Sequence, residues 1–199
     1  NLEIRLDTDA AGHEAVRIGD IVAIDASPEF FDNGFIVSRH LDDKAGVACL
    51  LTALKYFSDN GKIPAIPAQI LFTISEEVGI GGTHGFGPDV QELLAIDNGV
   101  TGPGQATSDD AATIAFRDRT GPFDLAIARH LVRLCEDNAI PHVRDTFRSY
   151  RSDSAAAIDA GWDLRAGLAC FSLDSSHGWE RTHMASLTAL TRLIIAYLE

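Results

Sequence analysis

The 199-residue sequence contains no long apolar run. A helix that crosses a membrane needs about 18 or more consecutive apolar residues, so a membrane-spanning helix is not expected. Hydrophobic residues make up 46% of the sequence and charged residues 23%, which is ordinary for a globular domain. The composition therefore indicates a soluble globular protein without a membrane partner.

Basic residues are scarce. The sequence has 16 Lys and Arg against 29 Asp and Glu, which gives a net charge of −13. This charge would repel the phosphates of DNA or RNA, so nucleic acid is an unsuitable partner. An acidic protein remains suited to bind cations or cationic substrates.

Cysteine is also rare, with Cys49, Cys135 and Cys170 only. They do not form a CxxC motif, and each lies among apolar neighbours. Buried, reduced thiols are the simplest interpretation. With the acidic charge, this favours a cytoplasmic location.

The start of the sequence lacks the features of a leader peptide. "NLEIRLDTDA" has no basic start followed by an apolar stretch, and it has no initiator Met. Residues 1–40 also lack a helical pattern. We therefore expect a piece that begins inside a small β module, with residues 1–38 as the end of that module and residues 39–199 as a catalytic domain without its N-terminal portion.

Strand and helix patterns alternate after this module. This alternation predicts an α/β fold with helices on both faces of the sheet. Strands are predicted at 20–26, 34–40, 68–75, 92–97, 112–118, 142–149 and 166–174, and helices at 43–57, 121–141, 153–161 and 186–198. The run at 68–75 is continuously apolar, as in a strand that is buried on both faces, and Ser186 is the predicted cap of the last helix.

Acidic and histidine residues recur near the ends of these strands. They are Asp42, Glu76, Glu77, Asp97 and His177. If the strands are parallel neighbours, these side chains converge on one edge of the sheet, where α/β folds place their sites. Carboxylates this close would repel one another without a cation, and this mixture of oxygen and nitrogen ligands suits Zn²⁺, Co²⁺ or Mn²⁺.

The adjacent glutamates can then have two roles. One carboxylate would bind metal, and the other would stay free to take a proton from a water molecule that attacks a carbonyl. Asp42 is a candidate for a carboxylate that bridges two metal ions.

Simpler interpretations exist for each residue. A Glu-Glu pair at a strand end is usually solvated, and Asp97 in "DNG" suits a turn. Asp43 suits the cap of the helix that follows it, while Asp42 could point into the site. A lone histidine such as His177 is more often packed or at the surface than a ligand.

Two other motifs carry less weight. "GIGGTHGFGP" lacks the GK[ST] ending of a phosphate loop. "DSSHGW" suggests serine hydrolysis, but the sequence has no GxSxG motif.

Three segments, "RHLDDKAGV", "TISEEVGIGG" and "LLAID", resemble the tetrahedral aminopeptidases. These are dinuclear metallopeptidases also known as glutamyl aminopeptidases or endoglucanases. The resemblance covers most of the chain, including "GDIVAID" and the segment 140–161. "SHGWERTH" is also similar to a subgroup associated with bacterial osmoprotectant dipeptide systems.

The resemblance implies a role for each matching residue. Asp42 would bridge two divalent metals, zinc or cobalt, with manganese as another candidate. Glu76 would be the general base, Glu77 would bind one metal and Asp97 the other. His177 would complete the Glu77 site.

The histidine assignment has an alternative. His177 is followed by Glu180, which matches the His-then-Glu arrangement of the family. His183, which lies just before Ser186, is the second choice. The family also has an earlier His-x-Asp motif, and His13 in "AAGHEAV" does not match it.

The resemblance implies a three-layer, zinc-peptidase-like sandwich with a mixed sheet, and assembly into homo-oligomers. The implied function is a metal-dependent aminopeptidase that removes the N-terminal residue of short peptides. A metal-dependent deacylase of N-acyl amino acids or dipeptides is one alternative, and an inactive or metal-poor assembly subunit is another.

Overall fold

The computed structural model describes residues 15–199, so the expectations for residues 1–14, including His13, lie outside the described residues. The described part contains eight strands and four α-helices. The strands are β1 (Glu29–Phe30), β2 (Phe35–Ser38), β3 (Glu92–Val100), β4 (Ala112–Asp118), β5 (Gly121–Pro122), β6 (His142–Thr146), β7 (Arg165–Leu173) and β8 (Glu180–His183). The helices are α1 (Leu41–Asp59), α2 (Leu125–Asp137), α3 (Asp153–Asp159) and α4 (Met184–Leu198).

The larger sheet is mixed. Its order is β3-β7-β4-β5, and β6 also pairs with β4. The β3–β7 and β4–β6 pairs are parallel, whereas β4 pairs antiparallel with β7 and β5. A smaller antiparallel sheet has the order β1-β2-β8. The return of the chain through β8 therefore ties the β1–β2 hairpin to the α/β body.

Helices cover both faces of the larger sheet. One core packs α1, α2 and α4 against residues such as Ile114, Phe171 and Leu173, which are buried. The opposite face carries a smaller cluster around Ala95, Leu168 and Phe147, and α3 packs on β3 and β7. Alternate residues of each strand thus face different helices, and the predicted three-layer α/β arrangement with a mixed sheet is confirmed.

Helix α1 begins at Leu41, two residues before the predicted start, and α2 and α4 also start at other residues than predicted. Helix α2 begins at Leu125, where the Asp124 side chain accepts hydrogen bonds from Ala126 N and Ile127 N. Helix α4 begins at Met184 with His183 as its cap, so the prediction of Ser186 as the cap is wrong. Ser186 is buried, and its hydroxyl donates to the Ala111 carbonyl instead.

Two predicted strands are absent from the described part of the chain. Residues 20–26 and 68–75 form no ladder with any other segment among residues 15–199. Ile74 is 99% exposed, so the interpretation of 68–75 as a doubly buried strand is wrong. Apolar composition favours burial, but a strand also needs a neighbour that pairs with its backbone.

The three cysteines are free and buried, which confirms that interpretation. No helix within residues 15–199 is long and apolar enough to cross a membrane.

Candidate metal centre

Three chain segments bring Asp42, Glu77 and His177 together. Asp42 lies in the first turn of α1, Glu77 lies in a short 3₁₀ turn (Glu76–Val78), and His177 lies in the loop between β7 and β8. His177 Nε2 is 2.9 Å from Glu77 Oε2 and 3.2 Å from Asp42 Oδ2. The imidazole is 67% exposed and the Asp42 side chain only 6%, so this cluster opens to solvent on its histidine side.

A second cluster shares Asp42. One carboxylate oxygen each of Asp42, Asp43 and Asp97 lie within 4.8 Å of one another. Asp97 lies inside β3 and not at its end, which corrects the predicted position. Its Oδ1 accepts hydrogen bonds from the Asn98 backbone N–H at 2.6 Å and from Asn98 Nδ2 at 3.2 Å.

Burial and mutual repulsion disfavour charge in this second cluster. Burial, followed by repulsion from Asp97, Asp42 and Glu76, raises the pKa of Asp43 to about 10. Burial and the charges of Asp42 and Glu76 raise the pKa of Asp97 well above its usual range. The protein has thus placed carboxylates where at least one proton or a cation is needed.

Glu76 lies beside both clusters. Burial, then the charges of Asp153, Glu77 and Asp42, raise its pKa to about 7, and His177 acts in the opposite direction. The pKa of Glu77 is also raised, by burial and by Asp42. A carboxylate with a pKa near neutrality can accept and return a proton at physiological pH.

Asp43 was expected to serve only as a helix cap. A hydrogen bond with the backbone of Gly46 is consistent with that role. Its carboxylate nevertheless belongs to the second cluster, and its buried Oδ1 has no hydrogen-bond partner among residues 15–199. The adjacent pair of aspartates is the one hint of this in the sequence, but it is equally compatible with a helix cap.

Two further side chains hold Asp42 in place. Glu180, which is 1% exposed, accepts a hydrogen bond from the Asp42 backbone N–H at 3.1 Å. Ser176 donates its hydroxyl to Asp42 Oδ2 at 2.8 Å. In the sequence, Glu180 serves only as a marker for the histidine, because its burial in β8 and its bond to Asp42 depend on the fold.

His183 lies elsewhere. Its Nε2 is 2.9 Å from the Asn33 carbonyl oxygen, and its Nδ1 accepts a hydrogen bond from Ala185 N at 3.1 Å. Both ring nitrogens are therefore engaged with the backbone at the start of α4. Of the two histidines, His177 is the one that the structure brings to the carboxylates.

The side chains present fit divalent metal ions. The first cluster offers two carboxylates and one imidazole, and the second offers three carboxylates. The unpartnered Asp43 Oδ1 and the shared Asp42 carboxylate indicate that positive charge would relieve the repulsion.

The sequence matches the profile of the M42 glutamyl aminopeptidase family over residues 1–193. The chain belongs to this family. A relative from Bacillus subtilis (strain 168), named "Putative aminopeptidase YhfE", is 37% identical over 207 residues. That match covers 100% of this chain and 59% of the relative, so the chain spans less than two thirds of the relative's length.

Solved structures of similar fold support the architecture. The aminopeptidase APDkam598 from the archaeon Desulfurococcus kamchatkensis superposes with a TM-score of 0.77 at 22% identity, over 95% of this chain and 55% of that one. The TET1 peptidase of Pyrococcus horikoshii superposes with a TM-score of 0.72 at 23% identity, over 86% and 53%. The zinc-peptidase-like fold expected from the sequence is confirmed.

Proposed function

We propose that this chain carries the catalytic centre of a metal-dependent aminopeptidase that removes the N-terminal residue from short peptides. The observation that carries the proposal is the shared Asp42 carboxylate, which belongs to both candidate ligand clusters. Membership of the M42 family supports the same reaction class. In this proposal residues 39–199 form the catalytic domain and residues 1–38 belong to a β module.

Two divalent ions, zinc or cobalt, would be held by this centre. Asp42 would contact both ions, Glu77 and His177 would hold one, and Asp97 would hold the other. When bound, the ions would polarise the scissile carbonyl and offer a positive field to the reacting groups. Manganese is a third candidate for the same oxygen and nitrogen ligands.

Glu76 would move the proton. It would take a proton from the attacking water molecule and later give it to the nitrogen of the leaving amine. Its raised pKa, about 7, suits both steps because the carboxylate can then be regained at the end of each cycle. The exposed side of the cluster at His177 would leave room for a peptide to enter.

A homo-oligomer is part of the proposal. The Pyrococcus horikoshii TET1 peptidase can assemble into a tetrahedron or a large octahedral shell. Light scattering on the protein, extended to the length of its relatives, would measure its oligomeric state. A strictly monomeric protein would remove this part of the proposal and leave the chemistry untouched.

A cytoplasmic location and a peptide substrate accompany this function. The net charge of −13 opposes nucleic acid binding, and free buried thiols are typical of reducing compartments. The fractionation of source cells would test the location.

A substrate panel tests the reaction itself. The protein, extended to the length of its relatives and loaded with Zn²⁺ or Co²⁺, would be given pairs of dipeptides that differ only in a free or an acetylated N-terminus. We expect cleavage of the free peptides and loss of activity with chelator. Preferential cleavage of the acetylated partners would indicate a deacylase, and metal binding without any cleavage would indicate an assembly subunit.

A further inference from the structure

The turn that carries Glu76 and Glu77 has few hydrogen bonds between its own residues. It consists of two short 3₁₀ segments, Glu76–Val78 and Gly81–Thr83. Within the turn, Gly79 N donates to Glu76 O at 2.7 Å, and Ile80 N donates to Ser75 O at 3.2 Å. No ladder partner holds the preceding residues 68–75 within the described part of the chain. The position of this turn must therefore come from tertiary contacts.

Asp153, the first residue of α3, supplies such contacts on both sides of the glutamates. Thr73 donates its hydroxyl to Asp153 Oδ2 at 2.6 Å, before the turn. The Gly82 backbone N–H donates to Asp153 Oδ1 at 2.8 Å, after the turn. One carboxylate thus bridges the two arms of the segment that presents Glu76 and Glu77.

Gly81 and Gly82 of the turn allow this close approach. A Cβ at Gly82 would lie 2.4 Å from the Asp153 carbonyl oxygen. A Cβ at Gly81 would lie 2.5 Å from Asp153 Oδ1 and 2.8 Å from the Glu76 backbone nitrogen. These distances leave no room for a side chain, so Gly81 lies directly between the Asp153 carboxylate and the Glu76 backbone.

Helix α3 is a firm support for this carboxylate. Its residues Ser154, Ala155, Ala156 and Ala157 are all buried, and it packs on β3 and β7. Trp162, just beyond the helix, adds a bond from its Nε1 to the Thr83 carbonyl at 3.0 Å. Asp153 itself belongs to neither ligand cluster.

We propose that Asp153 is a positioning residue, which fixes the Glu76–Glu77 turn against α3 so that both carboxylates face the metal centre. This inference rests on the proposed function for the roles of Glu76 and Glu77. The attachment of the turn to Asp153 is itself observed in the Thr73 and Gly82 hydrogen bonds and in the close approach of Gly81.

Four variants distinguish a loss of this attachment from a general loss of stability. Asp153→Ala removes both hydrogen bonds. Asp153→Asn keeps an oxygen that can accept from Gly82 N–H. Thr73→Val removes only the Thr73 bond at nearly constant volume. Asp159→Ala is the matched control, because it deletes an exposed carboxylate of the same helix whose partner is Arg151 and not the turn.

Hydrogen exchange is the first readout. Mass spectrometry would follow peptides that cover residues 76–84 and, as a reference, peptides from β7. In Asp153→Ala we expect exchange at 76–84 to rise about 10-fold, because local opening becomes easier, while β7 stays unchanged. The exchange rate at residues 76–84 should be intermediate in Asp153→Asn and in Thr73→Val. In Asp159→Ala it should equal that of the wild type.

Kinetics of the metal-loaded protein is the second readout. Supporting side chains of metal sites typically account for about 10–100-fold in activity or metal affinity. We expect Asp153→Ala to lower kcat by that factor while KM changes by less than about 3-fold, since Asp153 is proposed to position the turn and not to bind substrate. Asp153→Asn should recover part of the lost kcat, because it restores the acceptor for the Gly82 N–H but not the negative charge. A general loss of stability would instead raise exchange in β7 as well as at residues 76–84.

Unchanged exchange at residues 76–84 in Asp153→Ala overturns the proposal, and so does raised exchange with a wild-type kcat. If the wild-type protein cleaves no peptide, the proposed function fails separately. In that case the exchange result and the Co²⁺ affinity of Asp153→Ala still decide whether Asp153 holds the turn. Equal Co²⁺ affinity in the wild type and in Asp153→Ala would then also reject the positioning role.

Discussion

The carboxylates of the buried Asp145 and the partly buried Asp43 have very different surroundings. Asp145 Oδ2 accepts hydrogen bonds from Ala106 N, Thr107 N and Thr107 Oγ1 at 2.7, 2.9 and 3.0 Å, and Asp145 Oδ1 accepts one from Thr146 N at 2.7 Å. Asp43 Oδ1 has no such donor among residues 15–199. A carboxylate that serves the fold therefore comes with its own N–H and O–H donors, whereas Asp43 faces other carboxylates.

This difference separates an acid that serves the fold from the acids of the candidate metal centre. Asp145 ties the loop after β3 to β6, and nothing further is required for its charge. Asp42, Asp43 and Asp97 converge without enough donors, so their arrangement costs stability unless a cation is present. The following experiments test that contrast, beginning with the largest expected effect.

Glu76→Gln should lower kcat about 10²–10⁴-fold, because an amide cannot accept the proton of the attacking water. Metal content, measured by mass spectrometry, should stay at the wild-type level because Glu76 is not a proposed ligand. Glu136→Gln, an exposed position on α2, is the control. A near-normal rate for Glu76→Gln would show that the base is a different residue.

His177→Ala should weaken binding of one metal ion by about 100-fold, because it removes the imidazole of the first cluster. His183→Ala should leave metal affinity unchanged and cost about 1 kcal/mol of stability, since that ring caps α4. Calorimetric titration with Co²⁺ and thermal melts would measure both effects. The opposite pattern would exchange the roles of the two histidines.

Asp145→Ala should lower the free energy of unfolding by about 2–3 kcal/mol, because it leaves backbone N–H groups of the β3–β4 loop without their charged acceptor. Metal stoichiometry should not change. Denaturant unfolding together with a metal count would check this. A loss of metal in Asp145→Ala would show that Asp145 also supports metal binding and does not serve the fold alone.

The metal-free protein should become less stable as pH rises from about 4 towards 8. The pKa of Glu76 is raised to about 7 and that of Asp43 to about 10, so in this range the folded state holds protons that the unfolded state has released. These groups add fully to the free energy of unfolding below the pKa values that they have in the unfolded chain. That stabilisation is lost as pH rises through their pKa values in the folded protein. Melting temperatures with chelator at pH 4, 6 and 8 would show the trend.

Asp97→Asn is the matched variant for this pH experiment. It removes one charge of the cluster, so its melting temperature should depend less on pH than that of the wild type. Added Zn²⁺ should stabilise the wild type most at high pH, where the carboxylates are ionised. An equal pH slope in both proteins would mean that the trend arises from charges elsewhere.

Much of the fold could be predicted from the sequence. The strand prediction at 112–118 matches β4, and β3 and β7 lie where apolar periodicity placed them. The failures at 20–26 and 68–75 share a cause, because local pattern reports the preference of a segment and not the presence of a pairing neighbour. The misplaced cap at Ser186 arose in the same way, since burial against Ala111 outweighed local capping preference.

The candidate site was predictable in outline. Asp42, Glu77 and His177 are predicted ligands, and the structure brings their side chains together. Asp43 could not be assigned from sequence, because a residue just before a helix is compatible with capping and with a site. The bond between Glu180 and the Asp42 backbone was also inaccessible, since it depends on the pairing of β2 with β8.

That last bond has a consequence for biosynthesis. Asp42 and Glu180 are separated by 138 positions in the sequence, and His177 comes from the same late segment. A chain that is still emerging from the ribosome presents Asp42 and Glu77 long before His177 and Glu180 exist. The first cluster, Asp42, Glu77 and His177, can therefore be completed only after the segment around β8 has been made.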